Sequence, residues 1–226
     1  MPDFTLHTYK KLLETLLSKN YSFQTFAQYL KKPAHRSVIL RHDVYAKKLN
    51  SLQTARLEYD MGITGTYYFR MVPESVDEDV IMQIYELGHE IGYHYEDVSA
   101  CAARDNIPRY FKPGLQNCRI AESQNNDISE VLATIAIKSF EENLKTLRRI
   151  APVETICMHG SPLSRRDNRL LWKYYDYRDF GIIGEPYFDL DFNKLLYLTD
   201  TGRRWDGESV SVRDKAPDSG LRAPGK

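Results

Sequence analysis

The sequence predicts an α/β domain built on a mainly parallel sheet. Three observations carry that reading. Short β-prone runs alternate with helical periodicities, the order from which parallel sheets are made. Several of those runs end in polar clusters: Arg41-His42-Asp43, Arg70, His94-Tyr95-Glu96-Asp97 and His159. In parallel sheets, open or closed into a barrel, ligands bind at the carboxyl ends of the strands. The composition is that of an ordinary globular chain, with 42% hydrophobic and 27% charged residues among 226. Such a chain buries a sizeable core without staples and is not disordered throughout.

Each element has its own signal. Leu12, Leu13, Leu16 and Leu17 share one face of a helix over 8–19, and a second short helix follows Tyr21 through Phe23, Phe26 and Leu30, punctuated by Pro33. Residues 37–40 are β-branched and apolar, a buried strand running straight into Arg41-His42-Asp43. Leu49, Leu52 and Tyr59 space a helix over 46–61, and Gly62 suits the position after its C-cap. Residues 64–70 are aromatic and strand-forming. Ser75 and Glu78 have capping-box spacing ahead of Val80, Ile81, Ile84 and Leu87, and Gly88 ends that helix. Residues 90–94 form a third strand.

Residues 100–128 break the rhythm with prolines, a glycine and Gln/Asn-rich sequence, and read as an inserted loop or lid. Asp127 and Glu130 then open a long helix carrying Leu132, Ala136, Phe140, Leu144 and Leu147. Residues 154–158 are the fourth clear strand, ending in His159-Gly160-Ser161. Ser164 and Asp167 are placed to cap a helix through Leu170, Leu171 and Trp172. Weaker strands are expected at 181–183, 195–198 and 210–212. The organisation is one domain over 1–214, with a tail at 215–226 whose composition is that of a disordered segment.

Composition also narrows the function. Lys+Arg and Asp+Glu both number 31, so no global basic field draws in nucleic acid or an anionic membrane. No apolar run approaches the ~20 residues of a membrane span, and the N-terminus lacks the apolar stretch of a signal peptide. Three cysteines without CxxC spacing argue against a disulfide scaffold or a structural zinc finger. These features are those of a soluble cytoplasmic protein. A nucleophile elbow and a P-loop are both absent from the sequence. What remains is Asp, His and Glu converging on one mouth, a set suited to a divalent metal with an open position for water. A carboxylate or histidine would take the water's proton and another acid would protonate the leaving group. Any one of these side chains alone is more often a helix cap or a satisfied polar residue; their recurrence on successive strand ends is what points to a site.

Longer motifs sharpen the expectation. Leu40–Val44 (LRHDV), Gly62–Arg70 (GITGTYYFR), Leu87–Asp97 (LGHEIGYHYED), Ala151–Ser164 (APVETICMHGSPLS) and Tyr197–Trp205 (YLTDTGRRW) together resemble the polysaccharide deacetylase superfamily, the NodB-homology fold. Within it the chain is similar to a bacterial branch associated with surface-polysaccharide gene clusters. The resemblance covers most of 8–214 apart from 100–128. It implies a distorted (β/α) barrel and metal-dependent removal of an N- or O-acetyl group from a sugar or glycan precursor, with Zn2+ as the ion. His94 falls on the first metal-binding histidine of the GHEIGxH motif. The second, four residues on, is Val98 here, which leaves Glu96 or Asp97 to substitute. Asp43 matches an acidic residue of the first motif in either of two frames. In one it is the metal ligand and His42 replaces the base; in the other it is the base and Tyr45 has replaced the ligand. His159 resembles the late strand-end histidine that acts as an acid. Arg70, Tyr95 and Ser161 are the expected substrate contacts.

Two rivals accompany this reading: an inactive sugar-binding relative, favoured by Val98 and Tyr45, and a metal-dependent phosphoesterase. Relatives of the branch continue past Arg213-Asp214-Lys215 with another helix and strand. The barrel is therefore expected to be incomplete at its C-terminus, with an open strand edge that a homodimer would close.

Overall fold

A computed structural model of the chain describes residues 4–105, 125–160, 167–199, 204–206 and 211–213. Ser161, Ser164, the tail and most of the 100–128 segment lie outside these residues. The architecture is mixed α/β with parallel sheets. Among the described residues no helix is long and apolar enough to cross a membrane.

Helix α1 (Leu6–Ser18) starts on Thr5, whose side chain accepts the Thr8 N–H. The chain then departs from the expected second helix. Residues Ser22–Gln24 form strand β1, and only Phe26–Lys31 is helical (α2). Thr25 and Gln28 make a reciprocal capping box that starts α2 late, and β1 pairs in parallel with β2 (Ser37–Ile39). The expected strand through 37–43 is likewise split. Its first half is β2; its second, β3 (Arg41–Val44), belongs to another sheet.

That sheet positions the site. Helix α3 (Lys48–Asp60) closes on Gly62, whose φ of +69° suits a residue without Cβ. Strand β4 (Thr66–Phe69), helix α4 (Glu78–Glu86), strand β5 (Glu90–Tyr95), helices α5 (Asp97–Asp105) and α6 (Asn125–Leu147) and strand β6 (Val153–Met158) follow. The four strands run in the order β3-β4-β5-β6, all parallel. The 100–128 segment is thus helical at both described ends. The cap of α4 is Asp77, accepting from the Val80 N–H. Ser75 is instead buried, donating to the Val44 carbonyl and accepting the Arg70 N–H, so it ties the end of β3 to the loop after β4.

Beyond β6, Asp167 caps a short 3-10 turn, Asn168–Leu170, that runs into α7 (Leu171–Tyr174). The expected strand at 181–183 is reduced to one parallel bridge between Thr155 and Gly184. Gly184 lies against α2, where an added Cβ would meet Leu30 Cδ1 at 2.2 Å. Helix α8 (Pro186–Asp189) starts two residues later and ends the pairing. Residues 195–198 are irregular, with Leu196 69% and Leu198 44% exposed, so they gain none of the burial that a core strand supplies. A C-terminal strand is present at Ser211–Arg213 (β8), antiparallel to Arg204–Asp206 (β7).

Side chains alternate across the sheet. One face carries Tyr67 and Phe69 of β4, Ile91, Tyr93 and Tyr95 of β5 and Ile156 of β6, packed with Ile81 and Ile84 of α4 and Leu132, Phe140 and Leu144 of α6. The opposite face carries Asp43, Tyr68, Gly92, His94 and Cys157. At its amino end Glu90 accepts the Ala27 N–H and the Thr66 and Thr155 hydroxyls, which anchors α2 beneath the strands. Gly92 is needed here because a Cβ would lie 2.3 Å from two atoms of the Tyr68 ring, and that ring is held by a Tyr68–Thr155 hydroxyl contact of 3.1 Å. Gly92→Ala is expected to cost about 1–3 kcal/mol, the usual range for overpacking, read as a lower urea midpoint at unchanged slope.

Candidate metal centre

Asp43, His94 and Cys157 stand near the carboxyl ends of β3, β5 and β6, and their ligand atoms all lie within 4.8 Å of one another. Two sequence-predicted residues thus meet as expected, and a third joins them that sequence reasoning passed over. Cys157 is the direct cross-strand partner of His94. It shares the pleat parity of His159, two residues on, and that parity was the available signal.

The imidazole of His94 is oriented from behind. Its Nδ1–H donates to the Cys157 backbone carbonyl at 3.0 Å, which leaves the Nε2 lone pair facing forward, 3.7 Å from Asp43 Oδ2. A histidine held this way is prepared to ligate. Burial holds its pKa below the ordinary histidine value. Asp43 Oδ2 accepts from Arg41 Nη2 at 3.0 Å. Asp43 Oδ1 is buried and has no hydrogen-bond partner among the described residues. An unmet buried polar atom typically costs ~1–3 kcal/mol, and a cation would remove that cost. Carboxylate, imidazole and thiol together form a donor set that zinc accepts. Burial pushes the Cys157 thiol well above its usual pKa.

His159 follows β6 and continues its ladder through an N–H donated to the Tyr95 carbonyl. Its Nδ1 lies 3.1 Å from His94 Nε2 and 3.1 Å from the Tyr45 hydroxyl. Its Nε2 lies 3.7 Å from Glu96 Oε2. Burial, with the neighbouring His94 and Arg70, pushes its pKa down to about 4, so the ring is neutral near pH 7. Glu96 is gripped by Arg70 through Nε and Nη2 at 2.7–2.9 Å. The structure therefore places Glu96 beside His159 and outside the Asp43–His94–Cys157 cluster. Arg70→Ala strips this part-buried carboxylate of its partner. The expected loss is about 1–3 kcal/mol, the range for an unsatisfied polar group, measured by thermal or denaturant unfolding.

Two other expected site residues lie elsewhere. The pleat sends His42 to the helix-covered face, because adjacent strand residues point opposite ways. There its Nε2 meets Glu58 Oε1 at 2.7 Å and its ring stacks on Tyr67 at 4.4 Å. Glu58, fully buried, also accepts the Tyr9 and Tyr67 hydroxyls. Tyr95 is in the core, its hydroxyl accepting the Trp172 Nε1–H at 2.8 Å. Ser161 is outside the described residues. Of the two candidate replacements for a missing histidine, Asp97 is buried among the Tyr93 hydroxyl, Ser139 and Asn143. Val98, where the resemblance would set a second histidine, is wholly within the apolar core. Tyr45, read from sequence only as a departure from the motif that the chain resembles, touches His159.

In comparison with known proteins, no family model, curated protein or solved structure matches this chain.

Proposed function

We propose that the chain is a metal-dependent carbohydrate deacetylase, hydrolysing an N- or O-acetyl group of a sugar or glycan precursor in surface-glycan biosynthesis, on a NodB-type barrel. One observation carries the reading. Asp43 and an oriented His94 stand together at strand ends, with the ring of His159 centred 4.9 Å from that of His94. The pattern of residues resembling the deacetylases supplies the reaction class. A divalent ion held by Asp43 and His94 would polarise an acetyl carbonyl and acidify a water.

The remaining work falls to the chain's own groups. Arg41 holds the Asp43 carboxylate in place. His159, neutral at rest, accepts the proton of the attacking water and returns it to the departing nitrogen or oxygen. The charge that His159 carries between those steps is met by Glu96, itself fixed by Arg70. Tyr45 sets the ring's other nitrogen. The phosphoesterase reading is less well supported, because Arg41 and Arg70 are paired to Asp43 and Glu96 rather than set apart as a phosphate clamp.

The test is acetate release from a panel of N- and O-acetylated sugars, run beside a phosphate ester. Acetate release that a chelator removes and Zn2+ restores is expected. Phosphate-ester hydrolysis without acetate release would show the reading to be wrong, and the absence of both stoichiometric zinc and either activity would favour the inactive sugar-binding rival.

A further inference from the structure

We propose that Cys157 is the third protein ligand of this centre, and that the Asp43–His94–Cys157 set selects a thiophilic divalent ion, zinc above magnesium or manganese. The inference rests on the metal site of the deacetylase reading and deepens it.

A buried cysteine alone would be packing, since the thiol behaves as a small hydrophobe. Here the surroundings differ. The Cys157 sulfur lies within 4.8 Å of the ligand atoms of both Asp43 and His94, and it makes a weak contact with the Met158 carbonyl at 3.8 Å. The same residue's carbonyl aims His94, so one strand position supplies a ligand atom and orients another. The alternatives are engaged elsewhere. Val98 is core, Asp97 is held by Tyr93, Ser139 and Asn143, and Glu96 is clamped by Arg70. His159 does stand beside His94, its Nδ1 3.1 Å from His94 Nε2, but that nitrogen also meets the Tyr45 hydroxyl and the other faces Glu96. The unmet Asp43 Oδ1 leaves the carboxylate with capacity for a cation.

Three protein ligands with a further position open is the pattern of catalytic zinc sites. Sulfur disfavours magnesium, which demands an octahedral oxygen shell, and thiolate favours zinc. On binding, the Cys157 S–H bond breaks, a sulfur–metal bond forms and the proton leaves to solvent; nothing is oxidised or reduced.

Cobalt reports the ligand directly. The full chain, stripped with a chelator and titrated with Co2+ without substrate, is expected to develop a near-ultraviolet sulfur-to-cobalt charge-transfer band alongside visible d–d bands. Cys157→Ser, checked for folding by circular dichroism, is expected to lose the charge-transfer band. Its zinc affinity should fall by at least about 10–100-fold, the range that loss of even an orienting partner causes. Cobalt binding with no charge-transfer band in the unaltered chain overturns the proposal, whatever the variant does. So does an unchanged zinc affinity in folded Cys157→Ser, or the absence of cobalt binding altogether. The spectrum is read without turnover. A chain that releases acetate yet lacks the band refutes the cysteine ligand alone, and a chain with the band but no acetate release refutes the deacetylase reading alone.

Discussion

Replacing His94 by alanine is expected to remove both zinc retention and acetate release, while His42→Gln leaves both in place. The two histidines share a sheet but not a face. His94 presents Nε2 to Asp43 on one face, and the half-buried His42 sits against Glu58 and Tyr67 on the other. Losing His94 takes away a first ligand. The drop in zinc affinity should therefore be no smaller than the ~10–100-fold seen when a ligand merely loses its orienting partner. His42→Gln should act on stability instead, because Glu58 is fully buried and loses a 2.7 Å partner; a cost of about 1–3 kcal/mol is the usual scale. Equilibrium dialysis with zinc and a urea melt on each variant separate the two effects. Equal zinc affinity in His94→Ala and the unaltered chain would remove the basis of the site.

The largest expected effect on stability is at Phe140. This residue of α6 is fully buried and sets its ring against those of Tyr93, Tyr95, Trp172 and Phe180, with centroids 5.0–6.0 Å away. It joins the sheet to the segment after β6. Phe140→Ala is expected to cost about 3–5 kcal/mol, as buried Phe-to-Ala changes do. The edge-to-face pairing of its ring with Tyr95, Trp172 and Phe180 disappears too, which pushes the cost toward the upper end. The unfolding midpoint should fall accordingly. A loss below ~1 kcal/mol, the scale of an ordinary substitution, would mean that α6 does not pack on β5 as described.

Much of the framework was legible because parallel strands buried on both faces are continuous apolar runs. Residues 66–69 stand out that way, 90–95 and 153–158 stand out as short β-prone runs between helical periodicities, and the preceding helices carry glycine stops at Gly62 and Gly88. The split at Leu40 was not legible. Residues 37–39 and 41–44 follow one another with no glycine or proline between them, and what divides them is the distant strand that each one pairs with. The cap of α4 failed for a related reason. Ser75 has the right spacing, but burial gave its hydroxyl to the Val44 carbonyl and left the helix end to Asp77.

In the site, strand-end position identified Asp43, His94 and His159. Pleat parity says that His42 and Asp43 must part, yet which of them faces the centre depends on where α1 and α3 lie, and no local pattern records that. Glu96 follows the same logic: it reaches the site but is held there by Arg70, a residue 26 positions away in sequence. Cys157 was missed because its spacing to other cysteines is uninformative, whereas its register opposite His94 is a property of the sheet.

The most direct test of the metal centre is a crystal of the full chain soaked in zinc and measured at the zinc absorption edge. The account predicts one strong anomalous peak on the His94 face of the sheet, at about 2.0–2.3 Å from Asp43, His94 and Cys157 as zinc–oxygen, zinc–nitrogen and zinc–sulfur bonds require. A saturated crystal with no peak there, or with its peak on other residues, would contradict it.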